Sequence, residues 1–104
     1  MTTILVTENR APANDQLGDM EDIAREILGE DSKIIYEYSI PACAEHIKNG
    51  RAHGLVIPHG HGDHTAIDNL RRYVGELEIP VLKAYRNQRE SGSFRTWLEE
   101  NFSE

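Results

Sequence analysis

Three histidines and an aspartate fall within six residues: His59, His61, Asp63 and His64, separated by Gly60 and Gly62. Neutral imidazoles and a carboxylate are good ligands for zinc and other borderline divalent cations. Alternate residues of an extended segment point the same way, so His59 and His61 can chelate one ion. Asp63 or His64 can add a third ligand. Gly60 and Gly62 let the backbone fold tightly around it. An open fourth position would hold water, and a bound cation would lower the pKa of that water toward neutrality. The same residues support other uses. Three charged imidazoles this close repel one another, which would make the segment a proton sensor near about pH 6. His59, by its position after an apolar run, could pass a phosphoryl group. Asp63 or Thr65 can simply cap a following helix. A phosphate loop finds no support, because Gly60-His61-Gly62 lacks the longer glycine pattern and its lysine.

A second polar stretch, Glu8-Asn9-Arg10, follows the apolar run Ile4-Leu5-Val6. Lys83 and Arg86 lie near the end of a further strand-like run, Ile79 to Tyr85. Whether these stretches meet depends on the elements that carry them.

Ile4-Leu5-Val6 reads as a buried first strand. Asn14 or Asp15 can cap a helix with the stripe Leu17, Met20, Ile23, Ala24, Ile27 and Leu28, ended by Gly29. Lys33 to Tyr38 suits a second strand, with Tyr36 and Tyr38 on one face. Pro41 fits the first turn of a helix carrying Ala42, Cys43, Ala44 and Ile47, and Gly50 stops it. Gly54 to Pro58 is apolar on both faces, as a central parallel strand should be. Ile67, Leu70, Tyr73, Val74 and Leu77 recur at helical spacing. Ile79 to Tyr85 reads as a fourth strand. Ser91-Gly92-Ser93 makes a loop and cap before a last helix striped by Phe94, Trp97, Leu98 and Phe102.

This β-α-β-α-β-α-β-α alternation with short connections predicts a three-layer α/β/α sandwich around a four-stranded parallel sheet. In such sheets ligands bind beyond the carboxyl ends of the strands, where the strand order reverses. For the order 2-1-3-4, that point lies between the first and third strands. Glu8 and Asn9 would then face the His59–His64 segment, with Lys83 and Arg86 approaching from the side.

Composition narrows the partners. The 104 residues carry a net charge of −7, and their basic residues are scattered, so nucleic acid is not an expected partner. A hydrophobic share of 38% and a charged share of 28% suit a folded domain, here taken as one unit over residues 1–104. Cys43 is the only cysteine, so no intramolecular disulfide forms, and a reducing, cytoplasmic setting is the simplest expectation. Met1 to Val6 lacks the charged and apolar regions of a signal peptide. No apolar run approaches the roughly 20 residues of a membrane-spanning helix.

Two resemblances add to this. Ile4-Leu5-Val6-Thr7-Glu8-Asn9, Gly54-Leu55-Val56-Ile57-Pro58-His59 and Leu70-Arg71-Arg72 leading to Ile79-Pro80-Val81-Leu82 together resemble the receiver domain of response regulators. The resemblance implies a flavodoxin-like (βα)4 arrangement of order 2-1-3-4. It also implies a metal-holding acidic pair after the first strand and a phosphorylated aspartate after the third. Glu8 matches one acidic position and Asn9 replaces the other. His59 stands where the phosphoacceptor would be, and the usual fifth strand with its lysine is missing. Separately, His59-x-His61-x-Asp63-His64 is similar to the His-x-His-x-Asp-His signature of the metallo-β-lactamase superfamily. There the motif binds one or two zinc ions and activates water for hydrolysis. That family draws a further histidine from downstream, and none follows His64 here.

The expectation is a receiver-like signalling or protein-interaction module without the phosphoacceptor. It would bind zinc or another divalent metal through His59, His61, Asp63 and His64, with Glu8, Asn9 and Lys83 nearby. The alternative is a small metal-dependent hydrolase that uses the same four ligands and a bound water. A protein partner is expected, and Tyr36 and Tyr38 could serve a homodimer. His46, His53, Cys43 and the aromatic stripe of the last helix are expected to be structural, with His53 at the end of the sheet away from the site.

Overall fold

The computed structural model describes residues 2–8, 20–58, 64–84 and 93–102. Eight elements follow in strict alternation: β1 (Thr3–Val6), α1 (Met20–Leu28), β2 (Lys33–Tyr36), α2 (Ile40–Lys48), β3 (Gly54–Pro58), α3 (His64–Glu76), β4 (Val81–Ala84) and α4 (Ser93–Phe102). The four strands form one all-parallel sheet of order β2-β1-β3-β4, the flavodoxin-like (βα)4 arrangement.

The layers follow from the period of two along each strand. Ile4 and Val6 face one way, with Val56, and pack with Met20 and Ala24 of α1 and Phe94, Trp97 and Leu98 of α4. Leu5 faces the other way, with Leu55 and Ile57, and packs with Cys43 and Ile47 of α2 and Ile67, Leu70 and Val74 of α3. Right-handed crossovers place α1 on one face and α2 and α3 on the other when the chain moves first to β2 and then back across β1 to β3 and β4; α4, after the last strand, packs beside α1. β1 is buried at every position, because strands flank it on both sides and helices cover both faces.

Helix ends match the local residues. Gly29 sits at φ 106 after α1, and its N–H donates to the Arg25 carbonyl at 3.0 Å. Pro41 lies in the first turn of α2, where a missing N–H costs nothing. Gly50, at φ 71, closes α2: its N–H reaches the Ile47 carbonyl, and the Arg51 N–H reaches that of His46. After α3 the same closure is made without glycine. Glu78 has φ 59, its N–H donates to Gly75, and the Ile79 N–H donates to Val74.

Three sequence boundaries shift. β2 stops at Tyr36 rather than Tyr38, because β1 ends: the Glu37 N–H already takes the Val6 carbonyl. Tyr36 packs on the α1–α4 core, while Tyr38 lies past the strand and is 43% exposed. β4 starts at Val81 rather than Ile79, because Ile79 is engaged in closing α3. Leu77 falls beyond α3 and is 47% exposed, so it is not part of the buried stripe. Tyr85, Ser91 and Gly92 lie outside the described residues, as do the expected cap residues Asn14 and Asp15 and the helical position Leu17.

Gly54 opens β3 for a packing reason. A Cβ there would stand 2.8 Å from Phe102 Cζ and 2.8 Å from Trp97 Cη2. The rings of Trp97 and Phe102 meet edge to face at 5.4 Å and rest on this bare stretch of backbone.

Two outcomes test this description. Glu78→Gly relieves a left-handed conformation that costs a side-chain residue about 1 kcal/mol or more, so it should raise the urea midpoint with an unchanged slope. Gly54→Ala should destabilise by about 1–3 kcal/mol through overpacking and alter Trp97 fluorescence in the folded state.

Candidate functional site

The reversal in strand order falls between β1 and β3, so their carboxyl ends lie side by side. Val6 pairs with Val56, and the Thr7 N–H donates to the Val56 carbonyl at 3.1 Å. The Val6 carbonyl accepts two bonds, from the Glu8 N–H and the Glu37 N–H, each at 2.9 Å. Two half-buried acidic residues, Glu8 after β1 and Glu37 after β2, therefore leave the sheet from one carbonyl. Thr7 lies beside them with no exposed surface, and its Oγ1 has no hydrogen-bond partner among the described residues.

Of the residues singled out in the sequence, His64 is the first residue of α3 and Glu8 follows β1 at this carboxyl edge. Lys83 lies in β4 opposite Ile57, one position before the last pair, Pro58 with Ala84. His59, His61, Asp63, Asn9 and Arg86 lie outside the described residues. The connection is nonetheless short: five residues, 59–63, join the carboxyl end of β3 to the start of α3. Among the described residues no three His, Cys, Asp or Glu side chains gather as a cation site.

Thr7 and Glu37 were not candidates on sequence grounds. Glu37 was hidden inside the expected second strand, Lys33 to Tyr38, and follows a strand only because β2 stops at Tyr36. Thr7 had no signal beyond its place next to Glu8; only its burial marks it.

His53 and the cysteine take structural roles. His53 stands at the amino end of β3, away from the reversal point, as expected. Its Nδ1 accepts the Thr3 N–H at 2.9 Å, while its own N–H donates to the Thr3 carbonyl at 2.8 Å. The acceptor role requires an Nδ1 without a proton. His46 is half-buried on α2. Cys43 is buried in the α2–α3 core, where its thiol donates to the Glu37 carbonyl at 3.1 Å. Burial, and secondarily the charge of Glu37, push the thiol up to about 12 from its ordinary 9.0. A thiol so held is a poor nucleophile and metal ligand at neutral pH.

Two cavities of about 260 Å³ are lined by described residues. One is polar, between α1 and the start of β2. The other is apolar, between α2 and α3 beside Ile40, Pro41 and Tyr73. The surface pair Glu26–Arg95, at 2.6 Å, ties α1 to α4 and holds the Glu26 carboxyl below the usual range. Among the described residues no helix is long and apolar enough to cross a membrane.

Comparison with protein-family models, with curated proteins and with solved structures finds no match to this chain.

The Cys43 environment yields a pH prediction. Its folded pKa is raised, so the fold favours the neutral thiol; that contribution is complete below pH 9.0 and is lost as pH rises toward about 12. The stability difference between wild type and Cys43→Ala should shrink across that range in denaturant titrations. Near pH 8 a disulfide reagent should label Cys43 slowly in native protein and rapidly in denaturant.

Proposed function

We propose that this chain is a receiver-like signalling or protein-interaction module that holds a divalent cation at the carboxyl ends of β1 and β3. One observation carries the reading. The strand order reverses between β1 and β3, the place where open parallel sheets bind ligands, and the His59–His64 segment follows β3 directly. His59, His61, Asp63 and His64 supply the ligands, zinc suits their chemistry, and Glu8 stands on the neighbouring strand end. Asn9 and Lys83 border the site.

The substitution pattern favours binding over phosphotransfer to an aspartate. The acidic position after β1 keeps Glu8, while Asn9 and His59 replace the other two carboxylates of the receiver pattern. A carboxylate set made for magnesium becomes an imidazole set made for a softer ion. A cation held at a strand-end surface fixes the loops around it, and those loops are what a partner protein would read. Hydrolysis by a cation-bound water is the second reading, supported by the spelling of the His-x-His-x-Asp-His segment.

Calorimetric zinc titration of metal-stripped protein, with NMR of the histidine rings, tests this. The expected result is one zinc per chain, shifts at His59, His61 and His64, and at least about a tenfold loss of affinity in His61→Ala. Absent binding, or binding that His61→Ala leaves unchanged, sinks the cation site. Turnover of simple ester or phosphodiester substrates by the zinc-loaded protein, abolished in His61→Ala, would establish the hydrolase instead.

A further inference from the structure

β2 ends the sheet: β1 pairs with it along one edge, and no strand among the described residues pairs along the other. Its apolar residues Ile34, Ile35 and Tyr36 each keep part of their surface exposed, whereas β1 is buried throughout. An open edge of this kind is a template for another strand. The Lys33 N–H donates to the Thr2 carbonyl at 3.0 Å and the Glu37 N–H to the Val6 carbonyl at 2.9 Å. Lys33 and Ile35 therefore turn their backbone groups toward β1, and Ile34 and Tyr36 turn theirs outward. Glu37 lies one residue past β2, yet its bond to Val6 keeps its backbone in step with the strand.

The charges along this edge match themselves in reverse. Lys33 stands two residues before Ile35, and Glu37 stands two residues after it. A two-fold axis at Ile35 would set Lys33 of each chain opposite Glu37 of the other. The same axis would set Ile34 opposite Tyr36, so their outward groups would exchange hydrogen bonds. Moving the axis to Ile34 would put Lys33 opposite Ile35, and moving it to Tyr36 would put Lys33 opposite Ser39. Only the axis at Ile35 joins opposite charges, and opposite-charge pairs across strands stabilise pairing. This matters because each chain carries a net charge of −7 and repels its own copy in general. β4, the other end of the sheet, has Lys83 and no carboxylate within Val81–Ala84, so it has no such match.

We propose that two copies of this chain join antiparallel through the outer edges of β2, with Ile35 at the two-fold axis and Lys33 of each copy opposite Glu37 of the other. The pairing uses up both β2 edges, so it closes as a dimer and does not extend into a fibre. The Ser32 N–H already donates to the Gly29 carbonyl at 3.1 Å, which limits the new ladder to Ile34 and Tyr36. So short an edge makes a reversible dimer rather than a permanent one. The proposal stands apart from the cation site and is tested without metal.

Sedimentation equilibrium of the full chain in chelator, compared with Lys33→Glu, Glu37→Lys and the double variant, tests it. Wild type should show a monomer–dimer equilibrium below about 1 mM. Each single variant sets like charges opposite one another at two symmetric places and should weaken the dimer at least about tenfold. The double variant restores the opposite pairs and should return to within about threefold of wild type. Hydrogen exchange in wild type supplies a readout that needs no variant: the Ile34 amide should exchange more slowly as protein concentration rises. Wild type that stays monomeric at about 1 mM would overturn the proposal. So would single variants that dimerise as wild type does, a double variant no tighter than the singles, or an Ile34 amide indifferent to concentration.

Discussion

β1 is buried on both faces and paired along both edges, by β2 in register from Thr3 with Lys33 and by β3 in register from Ile4 with Gly54. Everything else is arranged around that strand. Its alternating side chains divide the interior into two cores, Ile4 and Val6 on one side and Leu5 on the other. Its position between β2 and β3 forces the chain to reverse direction across the sheet. The reversal sets the carboxyl ends of β1 and β3 side by side, and Thr7, Glu8 and Glu37 lie at that edge because β1 stops at Val6. The candidate site is thus a by-product of how one short apolar strand is covered.

The two ends of β1 are finished differently. At the amino end the chain is closed by its own groups: the Thr3 N–H and carbonyl are both taken by His53, through its imidazole and its backbone N–H. At the carboxyl end the Val6 carbonyl is shared by two N–H groups, while the Thr7 hydroxyl is left without a partner among the described residues. One end is satisfied internally, and the other keeps an unpaired hydroxyl among the described residues.

Much of the fold was legible because burial on both faces writes long apolar runs. Gly54 to Pro58 and Ile4 to Val6 could hardly be anything but central strands, and Gly29 and Gly50 announce helix ends through their freedom at positive φ. Glu78 announces nothing: it adopts the same geometry against its own preference, so β4 looked two residues too long. Tyr38 looked like strand because its type favours strands, but strand pairing depends on a neighbour, and β1 had already ended. The close approach at Gly54 depends on rings more than forty positions later in the chain, beyond any local pattern. For the site, chemistry-bearing residue types made the His59–His64 segment, Glu8 and Lys83 visible. Thr7 was not visible, because a buried threonine and a loop threonine are spelled alike.

The register also sets a timetable. Ile4 lies opposite Gly54, fifty positions away in the chain, while β2 supplies only one of the two edges that β1 needs. During synthesis, β1 waits for its second partner until Gly54, paired with Ile4, has followed. A nascent chain halted before β3 would present an unpaired strand edge, the kind of surface that recruits other chains. Folding of this small domain is therefore expected to be late and concerted rather than progressive. The histidine at position 53, which clasps Thr3 just as β3 arrives, stands where that closure is completed.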